Sequence, residues 1–224
     1  MKIDILSLFP GMFSGFLTES IIKRAIQSGK VEINIIDFRK YTKLNNNQVD
    51  DTAFGGGAGM VIMCDPIVSC LEEIKTVDSK VILLDPKGPL YSEQKAYEYS
   101  KCKHLILICG HYEGIDERIK HFVDEVVCIG DYILTGGELA AMVITDSVTR
   151  LLPGVITGES LSSESFNNNL LDYPVYTKPR DYKGYLVPDV LLSGDHKKID
   201  EYRKSEAERL TKENRPDLWS KYHE

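Results

Sequence analysis

Three short apolar segments in the middle of the chain, each followed by a loop that contains glycine, restrict the fold most. They cover residues 80–84, 104–109 and 123–129, and apolar runs bounded by turn residues are typical of buried strands. Residues 2–9 and 31–37 add two more strand patterns with a helical pattern between them. Crossovers of this kind favour a parallel sheet. We therefore expect an α/β domain with a parallel sheet.

The loops that follow the three central segments cover residues 85–89, 110–114 and 130–137. Because parallel strands end at one edge of a sheet, these loops are expected to converge there, where α/β proteins usually bind ligands. Glycine lets the backbone approach a ligand closely, and the helical pattern that begins at Glu138 offers unpaired N–H donors. Each loop taken alone can equally be a plain turn, but three together favour a small-ligand cradle.

The glycine spacing excludes two common nucleotide-binding classes. None of the loops has the G-x-G-x-x-G pattern of a dinucleotide fold or the G-K-[ST] of a P-loop. Residues 54–60 form another glycine-rich stretch, in which an aromatic residue and a methionine flank the glycines. Such a stretch can lie against a flat ligand such as a base, or it can be a flexible connection, and composition does not decide between these.

Helix starts are expected at Asp65, as an N-cap before Pro66, and at Ser92. Residues 153–170 are rich in Ser, Gly and Asn, which is typical of a linker or a mobile loop. Residues 172–180 then combine tyrosines with basic residues and prolines. Such side chains can stack on bases and hold phosphates, although tyrosines also simply pack.

Composition narrows the function classes only mildly. The net charge of −7 argues against bulk attraction to nucleic acid, so any contact with a polyanion must come from local patches. The five cysteines form no C-x-x-C pair, which favours buried thiols in a reducing compartment over a disulfide frame or a zinc site. No apolar run is long enough to cross a bilayer, and the chain opens directly on a strand pattern. We therefore expect a cytoplasmic protein without a membrane partner.

Several motifs occur in order across nearly the whole chain, and with them the sequence closely resembles the bacterial tRNA (guanine-N1)-methyltransferases, of the SPOUT class of knotted methyltransferases. Each motif alone is weak, but the ordered set is specific. They are Leu8-Phe9-Pro10, Gly55-Gly56-Gly57-x-Gly59-Met60, Gly110-His111-Tyr112-Glu113-Gly114-Ile115-Asp116-Glu117-Arg118, Ile129-Gly130-Asp131-Tyr132-x-Leu134-x-Gly136-Gly137-Glu138, Leu170-Leu171-Asp172-Tyr173-Pro174, Tyr176-Thr177-Lys178-Pro179, Val187-Pro188-x-Val190-Leu191-Leu192-Ser193-Gly194-x-His196 and Arg215-Pro216-Asp217-Leu218.

The resemblance implies a fold and an activity. The fold is an α/β domain over residues 1–156 with a C-terminal trefoil knot, a mobile linker over 157–171, and a small, mainly helical tRNA-binding domain over 172–224. The activity is transfer of a methyl group from S-adenosylmethionine to N1 of the guanosine at tRNA position 37, on the 3′ side of the anticodon. The family works as a homodimer, with the substrate site made from both chains. A knotted methyltransferase acting on another RNA, or an RNA-binding relative with impaired catalysis, is the alternative.

The resemblance also implies which residues carry the chemistry. Arg150 matches the arginine that stabilises charge near guanine O6. The general base for the N1 proton is an aspartate of an Asp-Ser-Phe pattern, where this chain has Glu164-Ser165-Phe166. Asp172 matches a second acidic position of the family and is the other candidate for the base.

The implied cofactor residues lie in the three strand-ending loops, and the implied substrate residues lie in the glycine-rich stretch and the C-terminal part. The sequence shows no metal-ligand spacing, and assistance by Mg²⁺ is left open. The cofactor set is Leu84, Asp85, Pro86, Gly110, Tyr112, Glu113, Gly114, Ile129, Gly130, Asp131, Tyr132, Ile133, Leu134, Gly136 and Gly137. The substrate set is Gly55, Gly56, Gly57, Gly59, Met60, Lys178, Arg180, Ser193 and His196.

Overall fold

A computed structural model describes residues 1–157 and 164–223. Within it the chain divides into two compact units, Met1–Ile156 and Thr157–Glu224. Each unit is described by itself.

The first unit is built on a five-stranded sheet in which every pairing is parallel. This confirms the α/β fold with a parallel sheet. The strands stand in the order β2-β1-β6-β5-β7, and they are β1 (Lys2–Leu6), β2 (Glu32–Ile36), β5 (Ser79–Leu84), β6 (His104–Cys109) and β7 (Glu125–Val127).

The last residues of the three strands that precede the glycine loops are neighbours. In the pairing register, Leu84 of β5 lies opposite Cys109 of β6 and opposite Val127 of β7. The loops that follow these residues therefore leave the sheet side by side at its carboxyl edge.

Helices cover both faces of this sheet. Successive side chains of a strand point to opposite faces, so neighbouring residues of β6 pack against different helices. Leu105 and Leu107 belong to the core cluster that contains residues of α2, α4 and α5, whereas Ile106 and Ile108 belong to the cluster that contains residues of α3. The helices are α1 (Ser14–Thr18), α2 (Ser20–Gln27), α3 (Cys64–Ile74), α4 (Glu93–Ser100) and α5 (Glu138–Arg150).

The two expected helix starts have different outcomes. The start at Ser92 is confirmed, since its side chain accepts a hydrogen bond from the backbone N–H of Lys95. The N-cap at Asp65 is wrong: α3 begins at Cys64, and the cap position, Met63, lies two residues earlier than predicted. Asp65 lies instead in the first turn, where its charge still interacts favourably with the helix dipole.

Residues 39–60 contain more structure than their composition indicates. Asp50–Asp51 (β3) pairs antiparallel with Val61–Ile62 (β4), so the glycine-rich stretch is the connection of a small hairpin. β4 is also hydrogen-bonded to the loop after β6. The N–H of Ile62 donates to the carbonyl of Gly114 at 2.9 Å.

A buried polar chain joins the strands at the opposite, amino edge of the sheet. Asp4 of β1 lies 2.9 Å from His104 of β6, and His104 lies 2.7 Å from the hydroxyl of Ser79 of β5. The partners satisfy one another, as buried polar groups must. Three strands are therefore held in register at this edge.

Among its described residues, the second unit contains a hairpin of two short strands, β8 (Asp181–Tyr182) and β9 (Tyr185–Leu186), and two α-helices, α6 (His196–Asn214) and α7 (Pro216–Tyr222). Part of the segment predicted as a linker is bound to these helices. Leu171 N–H donates to Thr211 Oγ1 at 2.8 Å, and Arg215 lies over the ring of Phe166 at 5.8 Å. Residues 158–163 of that segment lie outside the described residues, and the trefoil knot stays a prediction.

None of the helices within the described ranges combines the length and the apolar character that a membrane span requires.

Candidate functional site

A cavity of about 390 Å³ lies at the carboxyl edge of β6, β5 and β7. Its walls are the three strand-ending loops and the first turn of α5. Fourteen of the fifteen residues predicted to bind a cofactor line it, and Asp131, which is exposed, is the exception. The fourteen are Leu84, Asp85, Pro86, Gly110, Tyr112, Glu113, Gly114, Ile129, Gly130, Tyr132, Ile133, Leu134, Gly136 and Gly137.

Two of the loops interlock through glycines that admit no side chain. Gly137 N–H donates to the carbonyl of Gly110 at 2.8 Å. A Cβ at Gly137 would lie 2.7 Å from Cys109 Cα, and one at Gly136 would lie 2.6 Å from Cδ2 of His111. The first of these contacts is with backbone, so close approach of the two loops requires glycine at position 137.

The loop after β5 is fixed by the neighbouring strand β7. Asp85 N–H donates to the carbonyl of Val127 at 3.1 Å, and the carboxylate of Asp85 accepts from Lys87 N–H at 2.8 Å. A Cβ at Gly88 would lie 2.6 Å from Val127 N. The Asp-Pro-Lys-Gly turn therefore forms a firm wall.

The mouth of the cavity presents aromatic and apolar side chains to solvent. Tyr112 has a left-handed φ of 58°, and the exposed fractions of Tyr132 and Ile133 are 56% and 82%. Exposed groups of this size that line a concave surface are typical of a site for a partly apolar ligand.

Two buried ionisable side chains lie beneath the cavity. Glu138, the first residue of α5, accepts a hydrogen bond from the hydroxyl of Ser7 at 2.8 Å. Burial raises the pKa of the Cys109 thiol well above its usual value, and the nearby Glu138 raises it further. Cys109 therefore stays a neutral thiol and does not act as a nucleophile.

Sequence reasoning missed eight residues that line the cavity. Six of them stand inside the loops already singled out or in the apolar segments just before them, so their positions carried the signal although their residue types did not. Ala140 lines the cavity because it lies about one helical turn after Gly137 in α5. The eight are Leu83, Lys87, His111, Ile115, Val127, Cys128, Thr135 and Ala140.

The glycine-rich stretch predicted to bind substrate is connected to the cofactor loops. Gly55, Gly56, Gly57 and Gly59 all have positive φ, and Glu113 N–H donates to the carbonyl of Met60 at 3.1 Å. Phe54, which precedes the glycines, is fully exposed.

The three predicted catalytic residues belong to different units. Arg150 is the last residue of α5 in the first unit. Glu164 and Asp172 belong to the second unit, and both are half-buried. The carboxylate of Asp172 accepts from Tyr173 N–H at 2.8 Å.

The remaining predicted substrate residues are exposed side chains of the second unit. Arg180 pairs with Asp189 at 2.8 Å, and the hydroxyl of Ser193 donates to the carbonyl of Val190 at 2.7 Å. His196 is the first residue of α6, and Lys178 precedes the hairpin. Among the residues that the structure describes, no group of three or more His, Cys, Asp or Glu side chains is placed to hold a metal ion.

A parallel sheet whose strand-ending glycine loops enclose a cavity defines an α/β protein of the class that binds a small ligand at the carboxyl edge of its sheet. Within that class, the chain belongs to the family described as tRNA (Guanine-1)-methyltransferase TrmD, which it matches over residues 1–221. The family identified from the sequence motifs is thereby confirmed.

Individual relatives agree with the family match. The chain is 57% identical over 222 residues to a tRNA (guanine-N(1)-)-methyltransferase of Malacoplasma penetrans, with 99% of this chain and 98% of the relative covered. It is 56% identical to the protein of that name in Ureaplasma urealyticum, over 99% of this chain and 98% of the relative. It is 53% identical to the one in Geobacillus kaustophilus, over 99% of this chain and 93% of the relative.

Proposed function

We propose that this protein transfers a methyl group from S-adenosylmethionine to N1 of the guanosine at position 37 of tRNA, in the cytoplasm. The observation that carries the proposal is the cavity at the carboxyl edge of the sheet, lined by nearly all the residues that the family resemblance assigns to the cofactor. The names of the relatives, all tRNA (guanine-N(1)-)-methyltransferases, supply the substrate atom.

The residues present fit S-adenosylmethionine. The cavity of about 390 Å³ lies in the usual range for a site that holds a cofactor-sized ligand. Gly136 and Gly137 allow the loops to pack closely at the cavity wall, and the loops that we expect to form the trefoil knot supply backbone groups around the cavity. When bound, S-adenosylmethionine supplies a methyl group on a positively charged sulfur.

Side chains of the protein must accept the N1 proton of guanine and stabilise the charge that develops on O6. The N1 proton has to leave, so a general base is required, and Glu164 or Asp172 is assigned that role. Charge that develops at O6 needs a cationic or hydrogen-bonding partner, and Arg150 is assigned to it. The methyl transfer itself then depends chiefly on alignment of the donor with N1.

The glycine-rich stretch is assigned to the RNA. Its last residue, Met60, is hydrogen-bonded to the loop that lines the cofactor cavity, so a base held against residues 55–60 would stand close to the methyl donor. The exposed Phe54 offers a ring for stacking on a base. Lys178, Arg180, Ser193 and His196 of the second unit are assigned to the tRNA backbone.

A homodimer is supported by an apolar patch on the first unit. Leu139 and Val143 lie one turn apart on the outer side of α5, and their exposed fractions are 49% and 47%. The turn at residues 10–13 packs against α5 and adds the exposed Met12. Exposed apolar patches are typical of protein–protein interfaces, and a two-fold dimer buries the same patch of both copies.

The proposal is tested by incubating the protein with labelled S-adenosylmethionine and two anticodon-stem transcripts, one with guanosine at position 37 and one with adenosine. Label is expected in the first transcript alone, as N1-methylguanosine. Equal labelling of both would favour a methyltransferase acting on another RNA site. Binding of RNA without labelling would favour a relative with impaired catalysis, which the glutamate at position 164 makes a specific alternative.

A further inference from the structure

Glu138 is a buried carboxylate that the chemistry described so far does not use. Its exposed fraction is 2%, and that of Ser7, its hydrogen-bond partner at 2.8 Å, is 0%. A buried carboxylate is costly unless its charge is compensated. The hydroxyl of Ser7 and the positive end of α5 supply part of that compensation.

The carboxylate lies directly behind the wall of the cofactor cavity. Gly136 lines the cavity, and a Cβ added to it would overlap Oε2 of Glu138. The same Cβ would lie 2.6 Å from Cδ2 of His111, so the carboxylate lies behind the backbone of this loop and beside the ring of His111. Within the described ranges, no Lys, Arg or His side chain forms an ion pair with Glu138, whereas the carboxylates of Asp4, Glu125 and Asp116 do have such a partner.

We propose that Glu138 is the electrostatic partner of the cationic sulfonium of the methyl donor. The inference rests on the proposed function and adds to it the group that recognises the donor's charge. A buried charge behind a low-dielectric wall is screened much less than a charge in water. A cation held against Gly136 therefore completes the compensation that Ser7 and the helix end leave unfinished.

The negative charge of Glu138 also makes the site bind the donor in preference to its product. In the transfer, the bond between sulfur and the methyl carbon breaks, its electron pair stays on sulfur, and the methyl group bonds to N1 of guanine, whose proton passes to the general base. S-adenosylhomocysteine is therefore neutral at sulfur. Glu138 favours the charged donor over this product and so assists exchange of one for the other after each turnover.

This role of Glu138 predicts how the loss of its charge changes KM and kcat. The sulfur loses its charge as the transition state forms, so Glu138 stabilises the bound donor more than the transition state. Removing the charge is therefore expected to raise KM for S-adenosylmethionine and, where the chemical step limits turnover, to raise kcat as well, because the bound donor loses more stabilisation than the transition state. A purely structural role would lower both binding and turnover.

The decisive experiment measures the Kd of S-adenosylmethionine and of S-adenosylhomocysteine by calorimetry, without RNA, for the wild type and for Glu138→Gln. We expect the Kd of S-adenosylmethionine to rise at least about fivefold and that of S-adenosylhomocysteine to change less than about twofold. The control is Asp4→Asn, because Asp4 is also a fully buried carboxylate but lies at the amino edge of the sheet, beside His104. The ratio of the two Kd values is expected to stay at the wild-type value in this control.

Equal weakening of both ligands by Glu138→Gln, or no weakening of either, would overturn the inference and leave the proposed function intact. Failure of the wild type to bind either ligand would instead refute the proposed function. If Glu138→Gln does not fold, Glu138→Met removes the carboxylate while the hydroxyl oxygen of Ser7 still accepts from the N–H of Phe9 at 2.9 Å. The same selective loss of the charged ligand is expected from that variant.

Discussion

At the scale of single residues, the glycines of the cavity and the acid behind it differ in how well sequence predicts them. Gly136 and Gly137 follow an apolar strand and precede a helix, a local pattern that indicates close backbone approach. The burial of Glu138 has no such signal, because an acidic residue at the start of a helix is normally solvated and interacts with the dipole there. Its burial results from Ser7, which is 131 positions away in the chain.

The general base is the residue-scale assignment that most needs a test. We expect either Glu164→Gln or Asp172→Asn to lower kcat by about 100-fold or more, the usual contribution of a general base, with the Kd of S-adenosylmethionine unchanged. Single-turnover methyl transfer to the anticodon-stem transcript measures this directly. The amides keep the size of each side chain and remove its basicity, so each variant controls for the other.

If both variants retain more than about a tenth of the wild-type rate, neither carboxylate is the base. A pH profile adds a second criterion, since loss of the base removes the acidic limb of the rate curve. Loss of donor binding in either variant would assign that residue to the cofactor cavity instead.

At the scale of elements, the strands and the convergence of their loops follow from the sequence, but the sheet order does not. Apolar runs identify β5, β6 and β7, and parallel pairing places their ends together. The insertion of β6 between β1 and β5 depends on pairing between residues about 100 positions apart. The hairpin of Asp50–Asp51 with Val61–Ile62 was missed because two acidic residues give no strand pattern.

The loop after β6 combines a cap with an ion pair. The carboxylate of Asp116 accepts from the backbone N–H of Arg118 at 3.0 Å and from its Nε at 2.9 Å. Its own N–H donates to the carbonyl of Ile62 at 2.9 Å. Asp116 therefore joins the segment after the cofactor loop to β4, the strand that follows the glycine-rich stretch.

This arrangement makes stability depend on pH in a defined direction. The hydrogen bonds from Arg118 lower the pKa of Asp116 from 3.8 to about 2. Since the pKa is lower in the folded protein, the stabilisation is fully present above about pH 4 and is lost as the pH falls towards 2. Asp116→Asn is expected to cost about 1 kcal/mol of unfolding free energy at pH 7, because exposure of Arg118 screens the pair.

Urea unfolding of the wild type and Asp116→Asn at pH 7, 5, 4 and 3 measures this difference. The gap between the two proteins should narrow only at the most acidic values. Arg118→Gln serves as the matched variant, and a double-mutant cycle isolates the pair from the cap. A gap that stays constant down to pH 3 would assign the effect to packing rather than charge.

At the scale of the whole molecule, completion of the substrate site depends on the proposed dimer. The patch of Leu139, Val143 and Met12 lies on the first unit, on the same helix that carries Glu138 at its start and Arg150 at its end. In a two-fold dimer each copy contributes the same patch, so a charge introduced at one position faces its own copy in an apolar contact. Val143→Glu is therefore expected to give a folded monomer with little methyl transfer, since the family resemblance implies a substrate site made from both chains.

Sedimentation at about micromolar concentration, where an obligate dimer interface holds, distinguishes the two masses, and circular dichroism checks the fold of the variant. Val77→Glu is the matched control, because Val77 is fully exposed and lies at the amino edge of the sheet, just before β5. It should stay dimeric and active. A wild type that sediments as a monomer refutes the dimer outright. A monomeric Val143→Glu that keeps full activity shows instead that one chain suffices, and it then confines both the base and Arg150 to the same copy.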